Sequence, residues 1–308
     1  MILVPGRSAK TAPALGPRRT RRCIAMGPPP IRWVGPPAHL IIVPPSGGVN
    51  RLDPPRRRRY NQRAEACTGA GMRLQGRVAL VTGGGRGIGR AIAQALAREG
   101  AKVAVAARSR EQVEETAGLL AQPALGIVTD VRRPDDVRRM VEQTVAGLGP
   151  VDLLVNNAGV ARFAPILQAT LADWQAMFDV NVLGALLCTQ AVLPSMLERR
   201  RGWIINIASS SSVKGYVDQS GYCASKHALL GFAKVLALET RNAGIRVHCI
   251  CPGGVDTEMA GQNPSFDNRS DLMRPEEIAD LVVFLASLDG VMMIDNVIVR
   301  RYKATPWS

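Results

Sequence analysis

The chain is predicted to fold as an α/β protein, a doubly wound parallel sheet of seven strands with helices on both faces. Three observations carry that expectation. Beyond residue 77, short β-branched runs alternate with helical segments, the order that βαβ units require. The strands read as continuous apolar runs, as strands covered on both faces do, instead of alternating apolar with polar. A glycine-rich turn joins the first strand to the first helix, the position at which such sheets receive a ligand.

The elements follow in order. "RVALVTG" is a strand, "GIGRAIAQALAREG" a helix, "KVAVAAR" a strand and "REQVEETAGLLAQ" a helix. "LGIVTDV" and "VDLLVNNAG" are strands flanking the helix "PDDVRRMVEQTVAGLG". A helix around 185–199 precedes the strand "WIINIAS" at 203–209, and a helix over about 221–243 precedes the strand "RVHCICPG" at 246–253. The helix "PEEIADLVVFLAS" at 275–287 opens on Pro275 and two glutamates, which suit the positive end of a helix dipole. The final apolar run, "MMIDNVIVR", supplies the seventh strand.

One domain over residues 72–308 accounts for these elements, and residues 1–71 differ in kind. That leader holds 13 Lys and Arg against Asp53 and Glu65, so its net charge is +11 of the +14 total. It also holds 12 of the 21 prolines, which block helices and central strands, so 1–71 is expected to be disordered. An organellar transit peptide, a basic arm for nucleic acid or membrane, and upstream sequence translated from an early start codon all remain open for it. The six cysteines form no C-x-x-C pair, and buried free thiols in a reducing compartment explain them. The most apolar stretch, 177–197, contains Asp179, Asn181 and Pro194, so a buried or subunit-facing helix fits it better than a bilayer span. His39, His227 and His248 are too scattered for a ligand set, and no metal site is expected.

"VTGGGRGIGR" places backbone N–H groups and a helix N-terminus toward an anion. Glycines at 83, 87 and 89 permit a tight turn and close approach of a pyrophosphate. Further on, Tyr222 and Lys226 stand four apart, on one face of a helix, and can present a phenol and an ammonium to one site. A free phenol titrates near pH 10, and a neighbouring ammonium favours the phenolate, so Lys226 is expected to tune Tyr222 as a general acid or base. Tyr216 has Ser220 at the same offset and is read as a wall of the pocket.

The spacing Thr-Gly-x-x-x-Gly-x-Gly, with "NNAG" at 156–159, Asn181, Ser209, Tyr222-x-x-x-Lys226 and "PGGVDT" at 252–257, resembles the short-chain dehydrogenase/reductase family over essentially all of 72–300. The resemblance implies a Rossmann-type fold and hydride transfer between a nicotinamide and a carbonyl or secondary alcohol. It makes Asn181, Ser209, Tyr222 and Lys226 the catalytic set: Ser209 orients the carbonyl, Tyr222 exchanges the proton, and Asn181 holds a water relaying protons to Lys226. Ser210, Ser211 and Ser212 are read as loop residues.

By the same resemblance the cofactor lies against Thr82, Gly83, Arg86, Gly87, Ile88 and Gly89. It continues past Asp130 and Val131 at the adenine, then Asn157, Ala158 and Gly159, with Tyr222 and Lys226 at the ribose. Pro252, Gly253, Val255 and Thr257 complete it, Thr257 at the carboxamide. Where relatives preferring NAD place an acid after the second strand, this chain has Ala107 and then Arg108. Arg108, helped by Arg86, can pair with a 2′-phosphate, so NADP(H) is favoured over NAD(H).

The branch resembled is that of the 3-oxoacyl carrier-protein reductases, which implies an acyl-thioester substrate with acyl carrier protein as partner. Arg200 falls where those enzymes keep a docking arginine, near the expected mouth below the fifth strand; their second docking position is Ala243 here. Between Thr257 and Pro275 the chain is short and polar, a flap over the pocket. The C-terminus, "DNVIVRRYKATPWS", is closer to a subgroup acting on small 3-hydroxy acids; sugars and xenobiotic ketones are further alternatives. Two non-enzymatic readings stand beside these: a dinucleotide sensor, which would be free to lose the four catalytic residues, and a nucleic-acid-binding regulator using the basic leader. The resemblance also implies a homodimer or homotetramer formed by the helices around 185–199 and 221–243, in the cytoplasm, with organellar targeting by the leader as the alternative.

Overall fold

In the computed structural model, residues 72–263 and 269–306 are described, and the leader, with every expectation placed on it, lies outside them. The strands are β1 (Val78–Thr82), β2 (Lys102–Ala107), β3 (Ala124–Val128), β4 (Leu153–Asn156), β5 (Gly202–Ile207), β6 (Ile245–Pro252) and β7 (Asn296–Val299). They form one sheet in the order β3-β2-β1-β4-β5-β6-β7, parallel throughout. β1, β4 and β5 are buried along their whole length, which is why they read as unbroken apolar runs.

The helices are α1 (Gly87–Arg98), α2 (Arg110–Gly118), α3 (Pro134–Leu148), α4 (Leu171–Phe178), α5 (Gly184–Arg199), α6 (Ser220–Thr240) and α7 (Pro275–Ala286). They make two apolar layers. On one face of the sheet Ile92 and Leu96 of α1 join Ile278 and Val282 of α7 beneath Val81, Val105 and Ile205. On the other, Met140 of α3, Val192 and Met196 of α5 and Leu229 of α6 pack under Leu80, Leu154 and Ile204.

Three details differ from the sequence reading. The helix expected around 185–199 is α5, but it is preceded by α4, which the sequence reading did not place and where the Thr170 hydroxyl caps the start by accepting from the Asp173 N–H. Between α4 and α5 lies one turn of π-helix, Asp179–Leu183, a widening common at functional sites and one that periodicity cannot reveal. The last strand is only Asn296–Val299, shorter than the run "MMIDNVIVR", whose first residues precede the pairing with β6.

Among the described residues one helix, Leu171–Glu198, is long and apolar enough to cross a membrane by length and composition. It carries the buried Asn181 and Thr189 and packs against β4 and β5. Cys188, Cys223, Cys249 and Cys251 are buried free thiols.

Candidate active site

The strand order reverses between β1 and β4, so the loops at their carboxyl ends part and leave a crevice. Two loops floor it, stitched by side chains. Thr82 Oγ1 accepts from the N–H groups of Asn157 and Ala158, both at 3.1 Å. Asn157 Nδ2 in return donates to the carbonyls of Thr82 (2.9 Å) and Gly83 (3.1 Å). This close fit requires glycine at two points. Gly83 has φ +63°, and a Cβ there would lie 2.8 Å from Ala158 Cα. A Cβ on Gly89 would lie 2.2 Å from the Gly83 carbonyl oxygen.

Helix α1 starts in this crevice with no side-chain cap on its first N–H groups. Uncapped donors at a helix start, next to a turn with no side chains in the way, fit a pyrophosphate. The turn is buttressed by Arg90, which the sequence reading passed over. Its Nε and Nη2 donate to the Gly85 carbonyl at 3.0 and 2.7 Å, and it pairs with Glu115.

The residues expected at the adenosine end are differently engaged. Arg108 is exposed at the end of β2, with Asp130 as its electrostatic neighbour. The hydrogen bonds from Arg132 hold the Asp130 carboxyl below the usual carboxylate range. Val131 is buried, closely packed against Gly184. Arg86, expected to add charge for a 2′-phosphate, is ion-paired with Glu258, the residue after Thr257.

Ser209 follows β5 and Tyr222 lies in the first turns of α6, and the Ser209 hydroxyl is near enough to act on the Tyr222 phenol. Both line a cavity of about 1250 Å³ together with Ile88, Pro252, Gly253, Val255 and Thr257. Tyr216 lines it as well, its hydroxyl 2.8 Å from Ser210 Oγ. Ser209 also caps the short 3-10 turn Ser210–Ser212, which gives its neighbours the loop role expected of them. Phe163, which carries no sequence signal, stands edge-on to Tyr222 with ring centroids 6.0 Å apart.

Lys226 and Asn181 sit behind this wall, both buried. A Cβ on Gly159 would lie 3.4 Å from Asn181 Oδ1 and 3.6 Å from Lys226 Nζ, so the two polar groups converge beside the "NNAG" loop. Lys226 Nζ donates to the Ile207 carbonyl at 3.0 Å. The Asn181 amide bridges both backbone groups of Val160, at 2.8 and 2.9 Å, and donates to Ser225 Oγ at 3.0 Å.

The electrostatics correct one expectation. Burial pushes the Tyr222 phenol up to about 12, and the nearby Ser209 hydroxyl opposes this only in part. Lys226 Nζ is 5.8 Å from the Tyr222 ring centroid and is itself pushed down to about 8 by burial. Desolvation is the main influence on the phenol and holds it in its neutral form, against the expected lowering.

A second correction concerns docking. Arg200 precedes β5, at the opposite end of that strand from Ser209, and its Nη2 donates to the Asn242 carbonyl at 2.7 Å. It therefore does not border the mouth of this cavity.

Residues 77–268 match the family model described as short chain dehydrogenase. The chain belongs to the short-chain dehydrogenases. It is 36% identical over 241 residues to the 3-oxoacyl-(acyl-carrier-protein) reductase FabG of Thermotoga maritima, covering 74% of this chain and 97% of that one. It is 39% identical to D-threitol dehydrogenase of Mycolicibacterium smegmatis over 73% of this chain and 90% of that one. Among solved structures it is similar to an alcohol dehydrogenase from Thermococcus sibiricus complexed with 5-hydroxy-NADP. The TM-score is 0.69 at 28% identity, over 75% of this chain and 98% of that one. This short-chain dehydrogenase is thus an oxidoreductase of a family that uses a nicotinamide dinucleotide.

Proposed function

We propose that this short-chain dehydrogenase reduces a carbonyl with NADPH, and that its substrate is a 3-oxoacyl thioester. The observation that carries the reading is that the Ser209 and Tyr222 hydroxyls share one cavity wall, backed by Lys226. The nicotinamide cofactor, when bound, supplies the hydride. The Gly83–Gly89 turn and the uncapped start of α1 hold its pyrophosphate, Thr257 and the Pro252–Gly253 turn bound its nicotinamide half, and Arg108 meets the 2′-phosphate.

The remaining steps belong to side chains. The Ser209 hydroxyl orients the carbonyl oxygen. Tyr222 delivers its phenolic proton to that oxygen, and its proton is replaced from Lys226, with Asn181 holding the "NNAG" loop beside the lysine. A phenol kept neutral by burial is the right protonation state for reduction. The identity with FabG of Thermotoga maritima supports the thioester, with acyl carrier protein as its carrier.

The catalytic domain runs over 72–308, acts in the cytoplasm and assembles as a homodimer or homotetramer. Exposed apolar side chains on α5 and α6, among them Leu197, Val235 and Leu238, favour that assembly. A second reading, a small hydroxy or oxo acid as substrate, is favoured by the displaced Arg200 and by the basic residues of the tail after β7, Arg300, Arg301 and Lys303, on the cavity wall.

Nicotinamide oxidation by the full chain tests the proposal, with NADPH or NADH and a panel of 3-oxoacyl thioesters, small oxo acids, sugars and aromatic ketones. Turnover of thioesters preferring NADPH is the expected result. A preference for NADH, or turnover of sugars alone, would overturn it.

A further inference from the structure

The cavity that holds Ser209 and Tyr222 has an apolar wall open to solvent. Phe163 from the loop after β4, Val213, Tyr216 and Val217 from the loop between β5 and α6, and Ile298 of β7 all line it. All but Phe163 are exposed, Val217 at 85% and Ile298 at 58%. Single exposed apolar side chains are ordinary on protein surfaces, but several together on the wall of a concave site mark a surface that a ligand covers.

The loop that presents Val217 is held in shape. Asp218 takes the left-handed conformation, φ +61°, which only a few residue types tolerate. Its carbonyl accepts from the Ala164 N–H at 2.9 Å, so the loop after β5 is fastened to the loop after β4, with Val217 and Phe163 on either side of the tie. At the inner end, Phe163 stands edge-on to Tyr222, and the Tyr216 hydroxyl lies 2.8 Å from Ser210 Oγ, beside Ser209. The apolar wall therefore begins at the two hydroxyls that would handle the carbonyl and ends in solvent at Val217.

The chemistry of this wall suits one arm of a carbonyl substrate. A 3-oxoacyl group carries two arms at its reacting carbon: one leads to the polar thioester, and the other is an alkyl chain that gains only by leaving water. Phe163, Val213, Val217 and Ile298 offer no hydrogen-bonding side chain, so they match the alkyl arm. Lys214, the cation of the same loop, stands over the Tyr216 ring, 5.1 Å from its centroid.

We infer that this wall is a groove for an alkyl chain, bounded by Phe163 at the carbonyl end and Val217 at the solvent end, so that the substrate's carbonyl bears a chain long enough to leave the catalytic pair and reach Val217. The inference rests on the reading of the cavity as a carbonyl-reductase site and adds the class of substrate. Val217, exposed until a chain covers it, sets how much binding each further methylene gains.

Calorimetric binding to the full chain with NADP+ present, where reduction is impossible, tests the groove without relying on turnover. The probes form two series, the methyl ketones from 2-butanone to 2-octanone and the N-acetylcysteamine thioesters from 3-oxobutanoyl to 3-oxooctanoyl. Lengthening the chain from the first member to the last should tighten binding by about tenfold or more in at least one series. Val217→Ser should cut that gain about threefold, the double change Val213→Ser with Val217→Ser should abolish it, and Val217→Leu should keep it, all with NADP+ affinity within about twofold of the original. The replaced side chains are exposed, so the fold is spared. Absence of a gain in both series, or a gain untouched by the double change, would overturn the inference. A double variant that sediments differently while keeping the gain would overturn it too, by showing that a second copy of the chain covers the wall. Failure of the longer probes to be reduced once NADPH is supplied would count against the proposed reaction and leave the binding result standing.

Discussion

The Tyr222 phenol and the Ser209 hydroxyl line the same wall of the cavity, although the two residues come from different elements, the end of β5 and the start of α6. Burial raises the phenol to about 12 and depresses the lysine behind it to about 8, so the pair at rest is a neutral donor with a readily titrated neighbour.

The depressed lysine makes a prediction about stability. In the unfolded chain Lys226 titrates near 10.5 and in the folded chain near 8, so between these values the unfolded state binds more protons. Its contribution is complete above pH 10.5 and is lost as pH falls through 8. Urea unfolding of wild type and Lys226→Met from pH 7.5 to 10.5 should show the difference in stability moving in favour of wild type with rising pH, by about 3 kcal/mol. A difference independent of pH would mean the lysine is not desolvated.

The glycine turn predicts a steric failure. Gly89→Ala puts a methyl 2.2 Å from the Gly83 carbonyl oxygen and 2.5 Å from Asn157 Nδ2, atoms held by the bonds between the two loops. Overpacking of this kind costs about 1–3 kcal/mol, and displacement of α1 should weaken NADPH binding tenfold or more, read by quenching of nicotinamide fluorescence.

The adenosine end predicts cofactor choice. Loss of a charge-assisted contact to the 2′-phosphate should raise the KM for NADPH about tenfold in Arg108→Ser, an energy of about 1.4 kcal/mol, with the KM for NADH unchanged. Glu258→Gln releases Arg86 and should lower the KM for NADPH a few-fold. Its thermal midpoint should barely move, because both side chains of that pair are more than half exposed.

Asn181 predicts a structural cost. Its amide serves the N–H and carbonyl of Val160 and the Ser225 hydroxyl from a buried position in the π-turn. Asn181→Ala takes the side-chain partner from both Val160 backbone groups, while Ser225 keeps its bond to the Tyr222 carbonyl, and should lower unfolding stability by about 2 kcal/mol, measured by thermal or denaturant unfolding.

Legibility in the sequence follows the range of the interactions. The sheet was readable because each strand is a local apolar run, and Tyr222 with Lys226 because four residues along a helix is a local spacing. Arg90 was missed because its partner, the Gly85 carbonyl, is a backbone group with no residue signature. The π-turn around Asn181 was missed because widening by one residue leaves no mark in an apolar pattern. Desolvation of Tyr222 and the position of Arg200 depend on what surrounds them in three dimensions. The basic tail was visible as residues, but its course over the Pro252–Gly253 turn was not.

Reaction of the full chain with NADPH and a reducible carbonyl, wild type beside Tyr222→Phe, tests most directly whether the buried phenol is the proton donor. NADPH affinity is measured in parallel. The variant should bind NADPH as wild type does and lose about 10²- to 10⁴-fold in turnover. Turnover in Tyr222→Phe within a few-fold of wild type would show that the proton comes from elsewhere.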